Sequence, residues 1–191
     1  MKINFYALIF LLSLFSLGAS AQAVPDSARL AIGIDGGVPA GGIASQYVMF
    51  FGGSLRFDYP FSKKSYVTLS AGYNEFLLAN GATTTQNAIL NVPVPPLQTA
   101  PFMIGYKYFF IRTLYIQGEL GETLLINKDK VFAPKAFAFT YAPQLGLILK
   151  SKKHPHTYWD VGVRYQGTSS FYYDDTKYNY WAGRISYSFN L

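Results

Sequence analysis

Hydrophobic and polar residues alternate with a period of two through most of the chain beyond residue 21. Successive side chains of a β-strand point to opposite faces, so the alternation predicts strands with one apolar face and one face of polar or small residues. The pattern recurs in eight segments, which are 30–35, 51–58, 67–74, 102–108, 114–121, 141–147, 159–166 and 181–189. Helical periodicity is largely absent, so the predicted fold class is all-β.

The connections between these segments differ in length. Those at 60–65, 111–113 and 150–156 are short, whereas those at 39–46, 77–100, 127–135 and 167–177 are longer. Antiparallel strands with short turns at one end and long loops at the other are typical of outer-membrane barrels. The sequence therefore predicts an eight-stranded antiparallel up-and-down transmembrane β-barrel over residues 22–191. Both termini should lie at the short-turn, periplasmic end.

The N-terminus has the pattern of a secretory signal peptide. Lys2 precedes a mostly apolar run over 3–17, and Ala19-Ser20-Ala21 supplies the small residues of a cleavage site. We predict a signal peptide over residues 1–21, cleaved after Ala21. An uncleaved membrane anchor is the alternative, and the short apolar run disfavours it. The chain contains no cysteine, which excludes a lipid-modified N-terminus and any disulfide.

The composition of the two strand faces separates a membrane barrel from a soluble one. A soluble barrel encloses an apolar cavity, whereas a membrane barrel turns its apolar face to lipid. The apolar face has essentially no charge in its central stretch, which favours the membrane barrel over a soluble ligand-binding barrel. An eight-stranded barrel has room inside only for side chains, so paired charges should fill the lumen. The polar face carries four acids and four bases, which are Asp35, Arg56, Asp58, Lys107, Glu119, Asp160, Arg164 and Arg184.

Aromatic residues make up 18% of the chain and cluster near the strand ends. Amphipathic rings favour the two membrane–water interfaces, so we expect two aromatic girdles. The expected short-turn girdle comprises Tyr59, Phe61, Tyr66, Tyr108, Phe110, Tyr158 and Phe189, and the expected long-loop girdle comprises Tyr73, Phe76, Phe102, Phe137, Phe139, Tyr165, Tyr180 and Trp181.

The last segment ends in alternating apolar residues at Tyr187, Phe189 and Leu191. This ending resembles the assembly signal of bacterial outer-membrane proteins, although the final residue is Leu191 rather than an aromatic. The mature chain as a whole resembles the small eight-stranded OmpX/OmpA-like barrels, particularly those of the Bacteroidota outer-membrane barrel family. The segments that carry this likeness are GIDGGVPAGG, GGSLRFDYP, SYVTLSAGYNEF and YAPQLGL. The resemblance implies a location in the cell outer membrane, contact with its lipid, and insertion by the barrel-assembly machinery.

The chain carries a formal net charge of +6, and its excess positive charge falls in the short turns. A nucleic-acid partner is not expected, because these bases lie in separate turns without interleaved stacking aromatics. Contact with anionic lipid headgroups explains them more simply, and docking of a periplasmic partner or peptidoglycan is the alternative. The predicted basic periplasmic turns contain Lys63, Lys64, Arg112, Lys150, Lys152 and Lys153.

No set of residues indicates catalysis or metal binding. Both histidines, His154 and His156, share one short turn, and two ligands do not complete a zinc site. A Ser–His pair is therefore not available in the strands or long loops. Asp174 and Asp175 could bind a cation but are expected to be solvated. We predict no enzyme activity, no catalytic residue, no cofactor and no metal.

Three functions remain open at this stage. The first is a structural or surface-interaction role through the long extracellular loops, with an extracellular protein as a candidate partner. The second is an accessory role in a secretion or surface-assembly machine that docks periplasmic partners through the basic turns. The third, a lipid-modifying enzyme, is disfavoured.

Two local features also stand out. The loop at 77–100 is uncharged and proline-rich, and Pro143 predicts a bulge in the sixth strand.

Overall fold

The computed structural model describes residues 27–79, 95–150, 157–172 and 176–191, without the side chain of Lys150. Within these ranges a short 3₁₀ helix at Gly41–Ile43 follows the first strand, and no helix is long and apolar enough to cross a membrane. The strands are β1 Arg29–Ala40, β2 Tyr47–Ser62, β3 Ser65–Leu78, β4 Leu97–Phe109, β5 Leu114–Leu125, β6 Phe137–Lys150, β7 Thr157–Thr168 and β8 Tyr178–Asn190.

The eight strands form one closed barrel in which each strand pairs antiparallel with its neighbours in sequence. Closure is made by β1 and β8, whose ladder runs from the Arg29–Asn190 pair to the Ala40–Asn179 pair. A closed barrel leaves no strand edge with unpaired backbone groups. The predicted fold class and strand number are confirmed.

The exterior is an apolar band. Aliphatic side chains near the strand centres are about half exposed, for example Ile34 at 68%, Ile104 at 56% and Leu120 at 55%. The exterior acidic side chains Glu75 and Glu122 lie towards the long-loop ends of β3 and β5. Apolar residues outside and charges inside are the arrangement of a membrane barrel, and the alternative of a soluble barrel is not supported.

The expected bulge at Pro143 is wrong. Thr140 pairs with Thr168 and Gln144 pairs with Arg164, so the register between β6 and β7 is the same on both sides of Pro143. The ladder lacks only the pairs at Ala142 and Pro143, because proline has no N–H to donate. The missing donor is tolerated without an inserted residue. The register shifts lie instead in the β2–β3 ladder, at 47–49 and 60–62.

Replacing Ile104 with arginine tests which surface faces lipid. Ile104 lies near the middle of β4 and Ile111 lies in the β4–β5 turn, yet their exposures are nearly equal at 56% and 57%. Arginine at the bilayer midplane of a barrel costs about 2–4 kcal/mol, and near the interface about 0–1 kcal/mol. We expect Ile104→Arg to lower the free energy of unfolding in lipid vesicles by about 2–4 kcal/mol, and Ile111→Arg by less than about 1. Equal losses in urea titrations would contradict the assigned faces.

Candidate functional site

The lumen is filled with side chains in three layers. A charged middle layer lies between an apolar layer at the long-loop end and an aromatic layer at the short-turn end. The structure places all eight charged residues singled out from the sequence inside the barrel, none more than 8% exposed. Charges this deeply buried need close partners of opposite sign.

Four of the charged residues form one cluster towards the short-turn end. Lys107 Nζ lies 2.6 Å from Asp58 Oδ2 and 3.5 Å from Asp160 Oδ2. Arg56 Nε donates to Asp58 Oδ1 at 2.8 Å, and Arg56 Nη2 donates to Asp160 Oδ2. The cluster joins strands β2, β4 and β7 across the lumen and holds two positive and two negative charges.

Tyr115 completes this cluster. Its hydroxyl donates to Asp160 Oδ1 at 2.5 Å and accepts from Gln144 Nε2 at 2.7 Å. The ammonium of Lys107 lies 4.5 Å from the centre of the Tyr115 ring, within the range of a cation–π contact. The ring fits because its cross-strand partner is Gly146, and a Cβ at that position would overlap the Tyr115 side chain.

The other four charges form two pairs nearer the long-loop end. Arg184 Nε donates to Asp35 Oδ1 at 2.6 Å, and these two residues are also cross-strand neighbours in the closing ladder. Arg164 Nη1 lies 3.4 Å from Glu119 Oε2, and Arg164 Nη2 donates to Gln166 Oε1 at 2.7 Å. Each cation has an acidic partner, so this half of the network is also balanced.

The apolar layer closes the long-loop end of the lumen and includes several aromatic rings. Phe50 lies 4.4 Å from Tyr180 and 5.1 Å from Phe76, measured between ring centres. Ile43 of the short helix and Phe171 of the β7–β8 connection pack into the same cluster at 1% and 0% exposure. The connections themselves therefore help to seal this end.

The girdle prediction is wrong for four residues, because their side chains point into the lumen. These residues are at most 9% exposed: Tyr66, Phe76, Tyr158 and Tyr180. Each shares the parity of polar luminal residues on its own strand, as Tyr66 does with Thr68 and Ser70. The alternation of inward-facing and outward-facing positions along each strand predicts the luminal position of these four side chains. The other expected girdle residues lie on the exterior, apart from Phe110, which lies in the β4–β5 turn at the short-turn mouth of the lumen.

Sequence reasoning missed Arg29 as a residue of the short-turn layer. Its guanidinium lies 4.7 Å from the centre of the Tyr66 ring and 4.9 Å from that of Tyr158, and Nη2 donates to the Tyr66 hydroxyl at 2.8 Å. As the first residue of β1, Arg29 preceded the alternating segment that the sequence showed. Its parity with Ala31 and Asp35 was the available signal.

The remaining predicted residues lie at the barrel ends. Lys63, Lys64 and Arg112 are exposed in the short turns. Tyr187, Phe189 and Leu191 share the exterior side of the C-terminal strand, with Leu191 65% exposed, and their role as an assembly signal stays a prediction. The other predicted features lie outside the described part of the chain. They are the signal peptide, residues 80–94 of the proline-rich loop, Lys152, Lys153, His154, His156, Asp174 and Asp175, together with the side chain of Lys150.

No protein family model matches the chain, and no curated protein matches it in sequence. Among solved structures, Neisserial surface protein A matches with a TM-score of 0.55 and 11% identity, over 86% of this chain and 97% of that one. OprG from Pseudomonas aeruginosa matches with a TM-score of 0.52 and 12% identity, over 88% of this chain and 98% of that one. This chain has the fold of the small outer-membrane barrels.

A third match is the attachment invasion locus protein Ail of Yersinia pestis. It gives a TM-score of 0.51 at 14% identity, over 86% of this chain and 99% of that one. The resemblance to OmpX/OmpA-like barrels is thereby confirmed for the fold, whereas the narrower Bacteroidota assignment stays a prediction. Barrels with such an apolar exterior reside in outer membranes, which agrees with the location predicted from the sequence.

Replacing Asp160 tests how strongly the charged cluster stabilises the barrel. Asp160→Asn leaves Arg56 and Lys107 with Asp58 as the one carboxylate of their cluster, and breaking a buried ion pair in this way costs about 3–5 kcal/mol. We expect the double variant Lys107→Met with Asp160→Asn to lose less than the sum of the single losses, because the cluster is again neutral. Urea unfolding in lipid vesicles measures all three variants.

The matched control is Asp129→Asn at the outer surface. Asp129 lies 3.6 Å from Lys128 with its side chain 91% exposed, so its loss should cost less than about 1 kcal/mol. Additive effects of the Lys107 and Asp160 substitutions would count against an energetically coupled cluster.

Proposed function

We propose that this protein is a non-conducting outer-membrane barrel that contacts a partner through its extracellular loops. The observation that carries the proposal is the combination of a filled lumen with a hydrogen-bonded outer loop that displays an aromatic side chain. Between the described luminal side chains lie two small cavities of about 10 Å³ each, one beside Asp35 and Arg184 and one beside Thr99 and Thr123. A solute path along the barrel axis is not supported by this geometry, so the exposed ends are the surfaces available for function.

The β5–β6 connection, residues 126–136, is held by hydrogen bonds on both sides. Asn127 accepts from the backbone N–H of Gln98 at 3.1 Å and donates from Nδ2 to the carbonyl of Pro96 at 2.6 Å. The Tyr172 hydroxyl donates to the carbonyl of Val131 at 2.6 Å. These bonds tie the connection to β4 and to the β7–β8 connection.

Phe132 is the one aromatic residue of this connection. Its side chain is 82% exposed, and its backbone is left-handed with φ of 54°, a conformation that bulky residues rarely adopt. The bond from Ala133 N–H to the carbonyl of Lys128 closes the turn around it. An aromatic ring held out to solvent on a fixed loop loses little conformational entropy on binding, which suits a contact with another macromolecule.

A non-enzymatic role agrees with the chemistry present. Within residues 27–79, 95–150, 157–172 and 176–191 there is no histidine or cysteine to activate a nucleophile. The luminal acids and bases are paired with one another and buried, which suits a structural role rather than proton transfer to a substrate.

A photo-crosslinking amino acid at position 132 tests the proposal in intact cells. The control places the same amino acid at position 137, where Phe137 is 54% exposed on the exterior at the same end of the barrel. We expect protein adducts from position 132, identified by mass spectrometry, and lipid adducts from position 137. Lipid adducts alone from both positions would show that Phe132 belongs to the membrane girdle and would overturn the proposed contact.

A further inference from the structure

The short-turn end of the barrel holds a bowl of about 560 Å³. Pockets that bind small ligands measure about 300–1,000 Å³, so the bowl is large enough for a short segment of polymer. Its floor is made by the luminal side chains of the short-turn layer, and the described part of its rim is made by the β2–β3 and β4–β5 turns. The lining residues are Arg29, Lys63, Lys64, Tyr66, Phe109, Phe110, Ile111, Arg112, Ile148 and Tyr158.

The described lining is cationic. It contains Arg29, Lys63, Lys64 and Arg112 and no acidic side chain. The Arg29 guanidinium is 8% exposed and is held at the floor between the Tyr66 and Tyr158 rings, whereas the other three bases are exposed at the rim. Arg29 is already engaged at the floor, and the three exposed cations of the rim favour a ligand with several negative charges.

The same bowl offers apolar contacts. Phe109 and Ile148 lie in its floor at 8% and 4% exposure, and Phe110 and Ile111 lie at its rim at 40% and 57%. Aromatic and aliphatic side chains at the centre of a charged rim are typical of sites that anchor one apolar side chain of a partner. The ligand should therefore combine negative charge with an apolar group.

The position of the bowl favours a soluble ligand over a lipid headgroup. Its floor residues Tyr66, Phe109 and Tyr158 point into the lumen, whereas lipid contacts the exterior faces of the strands. A headgroup would have to leave the exterior surface and cross the rim to reach Arg29. The described lining therefore places the bowl at the short-turn mouth of the lumen.

We propose that this bowl is a docking site for an acidic segment of a periplasmic protein that carries an aromatic or aliphatic residue between its acids. The carboxylates contact Lys63, Lys64 and Arg112, and the apolar side chain packs on Phe109 and Phe110. This site is at the opposite end of the barrel from Phe132. Its test is therefore independent of the test of the outer-surface contact.

Calorimetric titration of the barrel in phosphatidylcholine nanodiscs tests the proposal. The probe is the synthetic pentapeptide Glu-Asp-Phe-Asp-Glu, and the control peptide is Gln-Asn-Phe-Asn-Gln. We expect binding of the acidic peptide that weakens with added salt, and at least about fivefold weaker binding of the neutral peptide. Equal affinity for both peptides, or no binding of either, would overturn the proposal.

Lysine variants at the two ends of the barrel distinguish binding in the bowl from non-specific attraction of the peptide to a positively charged protein. Lys63→Gln with Lys64→Gln should weaken binding of the acidic peptide by about fivefold or more. Lys128→Gln with Lys130→Gln removes the same charge at the other end and should leave the affinity unchanged. Equal weakening by both pairs would show non-specific attraction. All four lysines are in turns outside the strands, so the fold should be unaffected.

Two further measurements test the apolar contact and the lipid alternative. Phe110→Ala should lower the affinity of the barrel for the acidic peptide without changing the salt dependence of that affinity. An unchanged affinity would overturn the aromatic contact. Nanodiscs of phosphatidylglycerol supply an anionic lipid as competitor. Binding of the acidic peptide that is retained in these nanodiscs supports a soluble ligand. Complete loss of that binding would overturn the proposal in favour of lipid headgroups at the basic rim.

Discussion

The pairing of β1 with β8 is the interaction on which the rest of this structure depends. Water cannot satisfy backbone N–H and C=O groups inside a bilayer, so a sheet can cross only if its last strand bonds to its first. Closure at eight strands then fixes a narrow lumen. Every inward-facing position must be occupied by a side chain that fits its neighbours, and the three luminal layers meet that requirement.

The charged middle layer shows how polar residues can fill such an interior. Each buried ion carries a large desolvation cost, which close pairing offsets only when the geometry is good. Here four cations face four anions, and the Arg184–Asp35 contact lies within the closing ladder itself. A one-residue slip of β8 against β1 would carry Arg184 to the lipid face. The pairs therefore favour one register in addition to filling space.

The strands could be predicted from the sequence because a two-residue period is a direct consequence of strand geometry. The same parity placed Asp35, Glu119 and the other charges on one face. Aromatic residues were harder, because both faces of the barrel carry them near the strand ends. Residue type alone places Tyr66 and Tyr158 in the interfacial girdle, although their alternation with Thr68 and Asp160 places them in the lumen.

Other features required three-dimensional information. Pro143 suggested a bulge because it cannot donate a ladder bond, yet the ladder omits two pairs and keeps its register. The left-handed backbone of Phe132 depends on the turn closed by Lys128 and Ala133 and has no signature in the sequence. The bowl around Arg29 arises from turns far apart in the chain, which only closure of the barrel brings together.

The filled lumen is the feature on which the proposed roles of the two barrel ends depend. Single-channel recording of the purified full-length protein in planar bilayers tests this most directly. The account predicts a flat baseline across applied voltages, because the charged cluster and the aromatic layers occupy the barrel axis. Reproducible conductance steps that are absent from protein-free bilayers would contradict a filled lumen.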